Sequence, residues 1–135
     1  MFNPNKYIRK YFVSALSNMV VNGNSIKVYD THTPNNEKNV IILSTQTGSN
    51  DWEDKCSVTK NIITEIQILT RVSGDAGSRL LIDDILEEIQ QRCQNIQIDN
   101  FTVQDWSFSI SNDFATSTNT ETIFRKIINY NLIIK

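Results

Sequence analysis

The sequence is poor in the residues from which catalytic and metal centres are built. It holds one histidine and two cysteines in 135 residues, and no run approaching the roughly 20 apolar residues of a membrane span. Each scarcity closes a class of explanation. Cys56 and Cys93 offer at most one disulfide and lack metal-ligand spacing, so they read as two reduced thiols. His32 has Asp30 two residues away, but nothing nearby supplies a nucleophile or completes a site, and it reads as a surface residue. The opening MFNPNKYIRK lacks the apolar core of a signal peptide. A formal charge of −2 leaves no basic footprint for general nucleic-acid binding, and 39% hydrophobic residues argue against disorder. The expectation is an intracellular, soluble protein with no catalytic, cofactor-binding or metal-binding residues. Its length suits one domain, since domains cluster at roughly 100–150 residues, and is enough to bury a core without staples.

What is present is organised around residues 58–93. VTKNIITEIQILTRV alternates: Val58, Ile62, Ile66, Ile68 and Val72 on one side, Thr59, Asn61, Glu65, Gln67 and Arg71 on the other, the period of a half-buried strand. After SGD, the run AGSRLLIDDILEEIQQRC places Ala76, Ile82, Ile85, Leu86, Ile89 and Cys93 at helical spacing. Burying each Leu or Ile is worth roughly 1.5–3 kcal/mol, so this face is the helix's main reason to dock. The glycines of SGDAGSR match neither a Walker loop nor a dinucleotide fingerprint. A cap at Ser73 or Asp75 with turn geometry accounts for them.

Ahead of this unit, Asn3 and Pro4 start a helix whose apolar face is Ile8, Phe12, Ala15, Leu16 and Met19, ending near NGNS at 22–25. Lys6, Arg9 and Lys10 give its first turns a basic side, for a partner or for solvent. A short strand from Ile26, a polar loop with Pro34 and the strand VIILS at 40–44 follow. TQTGSNDWEDKCS at 45–57 then reads as a long polar loop carrying Trp52, which either folds back or serves a neighbour. Beyond the helix come a strand over 96–103 broken at Asp99 and Asn100, the alternating WSFSI, a polar loop or protruding hairpin tip at 111–122 with Phe114, and a long terminal strand. On that strand Phe124, Ile128, Tyr130, Leu132 and Ile134 share a face. WSFSI and the terminal strand are expected to pair antiparallel, with Ile66, Ile68, Phe108, Ile128 and Leu132 in one core. Both polar loops are expected to be mobile in a free subunit and ordered against neighbours. The fold class is α+β: a mainly antiparallel sheet with two helices packed on it.

Asp83, Asp84, Glu87 and Glu88 lie along the helix over 76–93. They could hold a hard cation, but such a set is the ordinary solvated side of an amphipathic helix.

With these pieces in place, the passage from about Ile26 to Arg92 resembles the tail completion and tail terminator proteins of tailed bacteriophages. The likeness runs through KVYDTHTP, VIILS, the loop with TGSNDWEDK, and above all TEIQILTRVSGDAGSRLLIDDILEEI. Where many members carry an aromatic just ahead of the break, this chain has Ile68, Leu69 and Thr70. The resemblance implies one tail-terminator-like domain over 1–135, made in the host cytoplasm and located in the virion. It would form a homo-oligomer, a hexameric ring by analogy, at the neck or head-proximal end of the tail, stopping tail polymerisation or joining tail to head. Its partners would be neck or portal-adaptor and tail proteins, with DNA as passing cargo without sequence-specific binding, and no membrane. Interface candidates are Trp52, Phe114, Lys6, Arg9 and Lys10. Asp83, Asp84, Glu87 and Glu88 would face the channel or solvent, or else meet a neighbour's lysines. Two other classes compete: a small monomeric protein-binding module of phage or host origin, and a metal-dependent nuclease using the acidic helix.

Overall fold

The computed structural model describes residues 3–30, 38–52, 58–73, 80–118 and 120–135. Helix α1 spans Pro4–Leu16, with the Asn3 side chain accepting from the Asn5 amide at 3.1 Å. Proline at the first helical position has no amide to leave unsatisfied. The helix stops at Leu16, earlier than its apolar spacing suggests. Asn18 takes a left-handed φ of 56°, and Met19, expected on the helix, begins strand β1 (Met19–Val21). β1 returns through Asn22 and Gly23, both at positive φ, into β2 (Asn24–Tyr29), the twist that a two-residue hairpin prefers.

β3 covers Asn39–Trp52 and β4 Val58–Ser73; α2 is Leu80–Arg92, and β5 (Val103–Ser117) and β6 (Glu121–Ile134) complete the chain. The strands form one sheet in the order β1-β2-β3-β4-β6-β5. It is mixed, not wholly antiparallel, because β2 lies parallel to β3 at residues 40–42. The expected pairing of WSFSI with the terminal strand is present, with Phe108 opposite Tyr130.

Three expectations need correcting. The stretch 45–52 is strand, paired with β4 from Gln46 opposite Thr64 to Trp52 opposite Val58. The stretch 111–117 is likewise strand, paired with β6 out to Ser117 opposite Thr122. Hairpin ladders are closed by backbone hydrogen bonds, so Thr, Ser and Asn extend a strand without leaving an apolar trace. The strand expected over 96–103 starts only at Val103. Before it, Ile96 and Ile98 are buried from irregular chain, and Asn100 turns at φ 68°.

Both helices cover one side of the sheet. Ile8, Phe12 and Leu16 of α1 and Ile82, Ile85, Leu86 and Ile89 of α2 join Ile66, Ile68, Ile128 and Leu132 in the main core, with Phe108 packed against it. The five residues expected to share a core therefore do. A smaller cluster, Val40, Ile42 and Leu69 with Tyr29 and Ile123, lies on the opposite side of the sheet. His32, Cys56, Ala76 and the break SGDAGSR beyond Ser73 lie outside the described residues.

At the centre of the main core, Tyr130 packs against Phe12 of α1 and Trp106 and Phe108 of β5, with ring centroids 5.2, 5.9 and 5.3 Å away. Cys93, just past α2, sits fully buried against the hydroxyls of Tyr11 and Tyr130. Burial pushes the Cys93 thiol up to about 11 and Tyr11 up to about 12, and raises Tyr130 as well. All three groups are acids held neutral by the fold. Their contribution is therefore complete below their ordinary values and is lost as pH rises through the folded ones. Thermal melting should show stability falling from pH 9, the thiol's ordinary value, towards pH 11, and Cys93→Ala should soften that fall. A melting temperature unchanged across this range in the wild-type protein would contradict it.

Candidate interaction surfaces

The basic side of α1 is smaller than the sequence implies. Arg9 turns to the sheet, donating to the carbonyls of Asp30 and Leu43 at 3.1 and 3.3 Å and to Oε1 of Gln46 at 3.2 Å. The register of β3 shifts between Leu43 and Gln46, and a bulge of this kind interrupts the ladder. The guanidinium bonds groups on either side of that interruption, so Arg9 fastens α1 to β3. Lys6 and Lys10 remain outward. Lys6 lies 5.7 Å from the Tyr7 ring centroid, and Lys10 stands 3.9 Å from Asp99 with both side chains exposed.

The four acids of α2 divide similarly. Asp84 accepts from Nδ2 of Asn22 at 2.7 Å, tying the helix to the β1–β2 turn. Glu88 pairs with Arg92 at 2.9 Å, and Arg92 donates onward to the carbonyls of Ala15 and Ser17 at 3.3 and 2.8 Å. A cation placed there satisfies carbonyls that the end of α1 leaves open. Asp83 bonds Lys126, while Glu87 is exposed. Asp84, Glu87 and Glu88, with Val20 and Asn22, line an open cleft of about 330 Å³. Among the described residues, no cluster of His, Cys, Asp or Glu has a metal-holding arrangement.

The side of the sheet away from the helices carries Ile63, Ile127, Ile133 and Phe114 among Asn61, Gln67, Asn129 and Asn131. Phe114 is half-buried there, opposite Arg125, whose Nη1 donates to Gln67 at 3.4 Å. Trp52 closes the far end of β3; its side chain is outside the described part. The structure thus brings Asp84, Glu87 and Glu88 together along one cleft and takes Asp83 away to Lys126. It separates Arg9 from Lys6 and Lys10, and sets Phe114 on the opposite side of the sheet.

A chain from the solved virion of a native gene transfer agent particle has the same architecture, with a TM-score of 0.65 over 98% of this chain and 99% of that one. The shared fold is that of a virion chain. At 10% identity the likeness is one of fold. No family model matches the sequence, and no curated protein does.

One group that fixes this fold is not evident from the sequence readings above. Lys126 is 5% exposed on the core side of β6, bonded to Asp83 of α2 and 3.6 Å from Asp113 of β5. Alternation could have found it, because Lys126 falls between Phe124 and Ile128 on the face read as apolar. A buried ammonium requires partners. Asp83, read as a channel or solvent residue, is one of them.

Proposed function

We propose that the protein is a structural component of a phage-like virion. In this reading it forms a ring at the neck or head-proximal end of the tail, where it ends tail polymerisation or joins tail to head. The observation that carries the reading is a fold likeness to a virion chain over nearly the whole of both chains. The ring and its place in the neck rest on the resemblance of residues 26–92 to tail terminators. The protein works through interfaces, not catalysis, and DNA passes it without being read. Its partners are its own copies and the adjoining neck and tail proteins.

Removing the chain from a producing strain tests this. Electron microscopy should then find heads without tails, or tails of irregular length, and adding the protein back should restore joined particles. Normal particle counts without it would overturn the reading. A small binding module would instead leave particle architecture intact.

Within that ring, Asp84, Glu87 and Glu88 of α2 face the channel or solvent. Reversing charge at Asp84 and Glu88 to Lys removes one bond to Asn22 and one pair with Arg92. A single such hydrogen bond or half-buried pair is worth about 0.5–1.5 kcal/mol, well inside a total stability of about 5–15 kcal/mol, so the subunit should fold and rings should form at wild-type mass. Impaired DNA delivery from these rings would assign the acids to the channel, and normal delivery would assign them to solvent. Failed ring formation would assign them instead to a neighbour's lysines.

A further inference from the structure

Two stretches of strand have no neighbouring strand on one side among the described residues. β5 is the last strand in the sheet order. β3 is covered by β2 only at residues 40–42, which leaves 46–52 with β4 on one side alone. Exposed edges of this length are ordinarily guarded by lysine or proline, because their backbone groups will pair with any suitable strand. Residues 103–117 contain no Lys, Arg or Pro, and neither do residues 44–52.

The phase of β5 can be read from one bond. The Trp106 amide donates to its neighbour Asp105 at 2.8 Å, so it is turned away from β6. In an antiparallel ladder, inward and outward backbone groups alternate, and Phe108 and Ile110 therefore also point their amides off the sheet. The register shifts of β5 fall between Val103 and Asp105 and between Ile110 and Asn112, leaving residues 106–110 as a regular segment. Ile110 on this segment is 50% exposed, an apolar side chain at an open edge.

Resting on the ring reading above, we propose that subunits join by antiparallel pairing of residues 106–110 in β5 with residues 46–52 in β3 of the next copy. The directions fit. β3 and β6 are each antiparallel to β4, and β5 is antiparallel to β6, so β5 runs opposite to β3. Rotation about an axis along the strands preserves that relation between neighbouring copies. The two edges are different surfaces on opposite margins of the long-stranded part of the sheet, which is the heterologous contact a closed ring requires. The side chains fit as well. Thr47 and Ser49 lie opposite Ile63 and Asn61, and Ser107 and Ser109 opposite Asn131 and Asn129, so all four project from the side of the sheet without helices. They are small, exposed and uncharged.

Charge exchange across this seam is the test. Lysine at all four positions (Thr47→Lys, Ser49→Lys, Ser107→Lys, Ser109→Lys) sets like charges opposite one another. By native mass measurement the ring should fall to the single chain of 15.5 kDa. Keeping lysine at 47 and 49 but placing glutamate at 107 and 109 should restore wild-type mass. Rings of wild-type mass from the four-lysine protein would overturn the seam and leave the ring reading standing. A particle of two chains would indicate β5 pairing with its own copy and also overturn it. Wild-type protein that stays a single chain, alone and with tail components, would overturn the ring reading and this proposal together. Hydrogen exchange on the wild type avoids dependence on the variants. The amides of Phe108 and Ile110 should slow by about tenfold or more on assembly, and unchanged exchange in rings would reject the seam.

Discussion

Replacing Ile128 by Asp should unfold the domain or bring it close to unfolding. Ile128 is fully buried in the main core opposite Ile66 of β4 and Ile110 of β5. A carboxylate there has no cation placed to meet it; Lys126, one step along the same face, is already bonded to Asp83 and Asp113. Burying an unpaired charge belongs to the most damaging class of substitutions, about 4–5 kcal/mol or more. Total stabilities are about 5–15 kcal/mol, so one such change consumes much of the margin. Ile66→Asp should act equally. Ser109→Asp, exposed on the opposite side of the sheet and facing uncharged Asn129, should stay within about 0.5 kcal/mol. Urea denaturation followed by tryptophan fluorescence reads all three, and an unchanged midpoint for Ile128→Asp would mean that the sheet register is wrong.

Truncating Tyr130 to Ala should cost about 3–5 kcal/mol, the range for a fully buried aromatic. Its ring is the one surface shared by Phe12, Trp106 and Phe108, so its loss opens a cavity where α1, β5 and β6 meet. Tyr130→Phe keeps the ring and gives up only the hydroxyl against Cys93, worth about 1 kcal/mol. The comparison separates packing from polarity. Losses of similar size in the two variants would show that the hydroxyl, and not the ring, holds this junction.

These two sites also mark how much of the molecule could be read in its sequence. The core sides of β4 and β6 are legible because alternation spans many residues despite Thr64, Thr70 and Lys126, and α2 because its apolar face repeats at helical spacing. The three-residue strand β1 was not legible. Met19 sits one turn beyond Leu16, where helical spacing also predicts an apolar residue, and the extended Ser17 and left-handed Asn18 end the helix in between. The outer reaches of β3 and β5 read as loops because Thr, Ser and Asn record no buried face. Of the candidate interaction residues, Lys6 and Lys10 lie outward as expected. Arg9 does not, because its partners are carbonyls and an amide oxygen from segments remote in sequence, which no local pattern encodes. The role of Asp83 is hidden for the same reason: its partner Lys126 is 43 residues away.

The order β4-β6-β5 also governs how the chain must fold. β6, later in the chain than both its neighbours, fills the place between them, where Leu132 faces Ile62 on one side and Trp106 on the other. β4 and β5 do not pair with each other; each pairs with β6. The β5–β6 hairpin can close locally, but docking it on β4 brings together segments separated by α2 and the whole of β5, and pairings of such long range are slow to form. Until that docking occurs, Ile62 and Ile66 of β4 lack Leu132 and Ile128 beside them, so the main core closes only when the hairpin arrives.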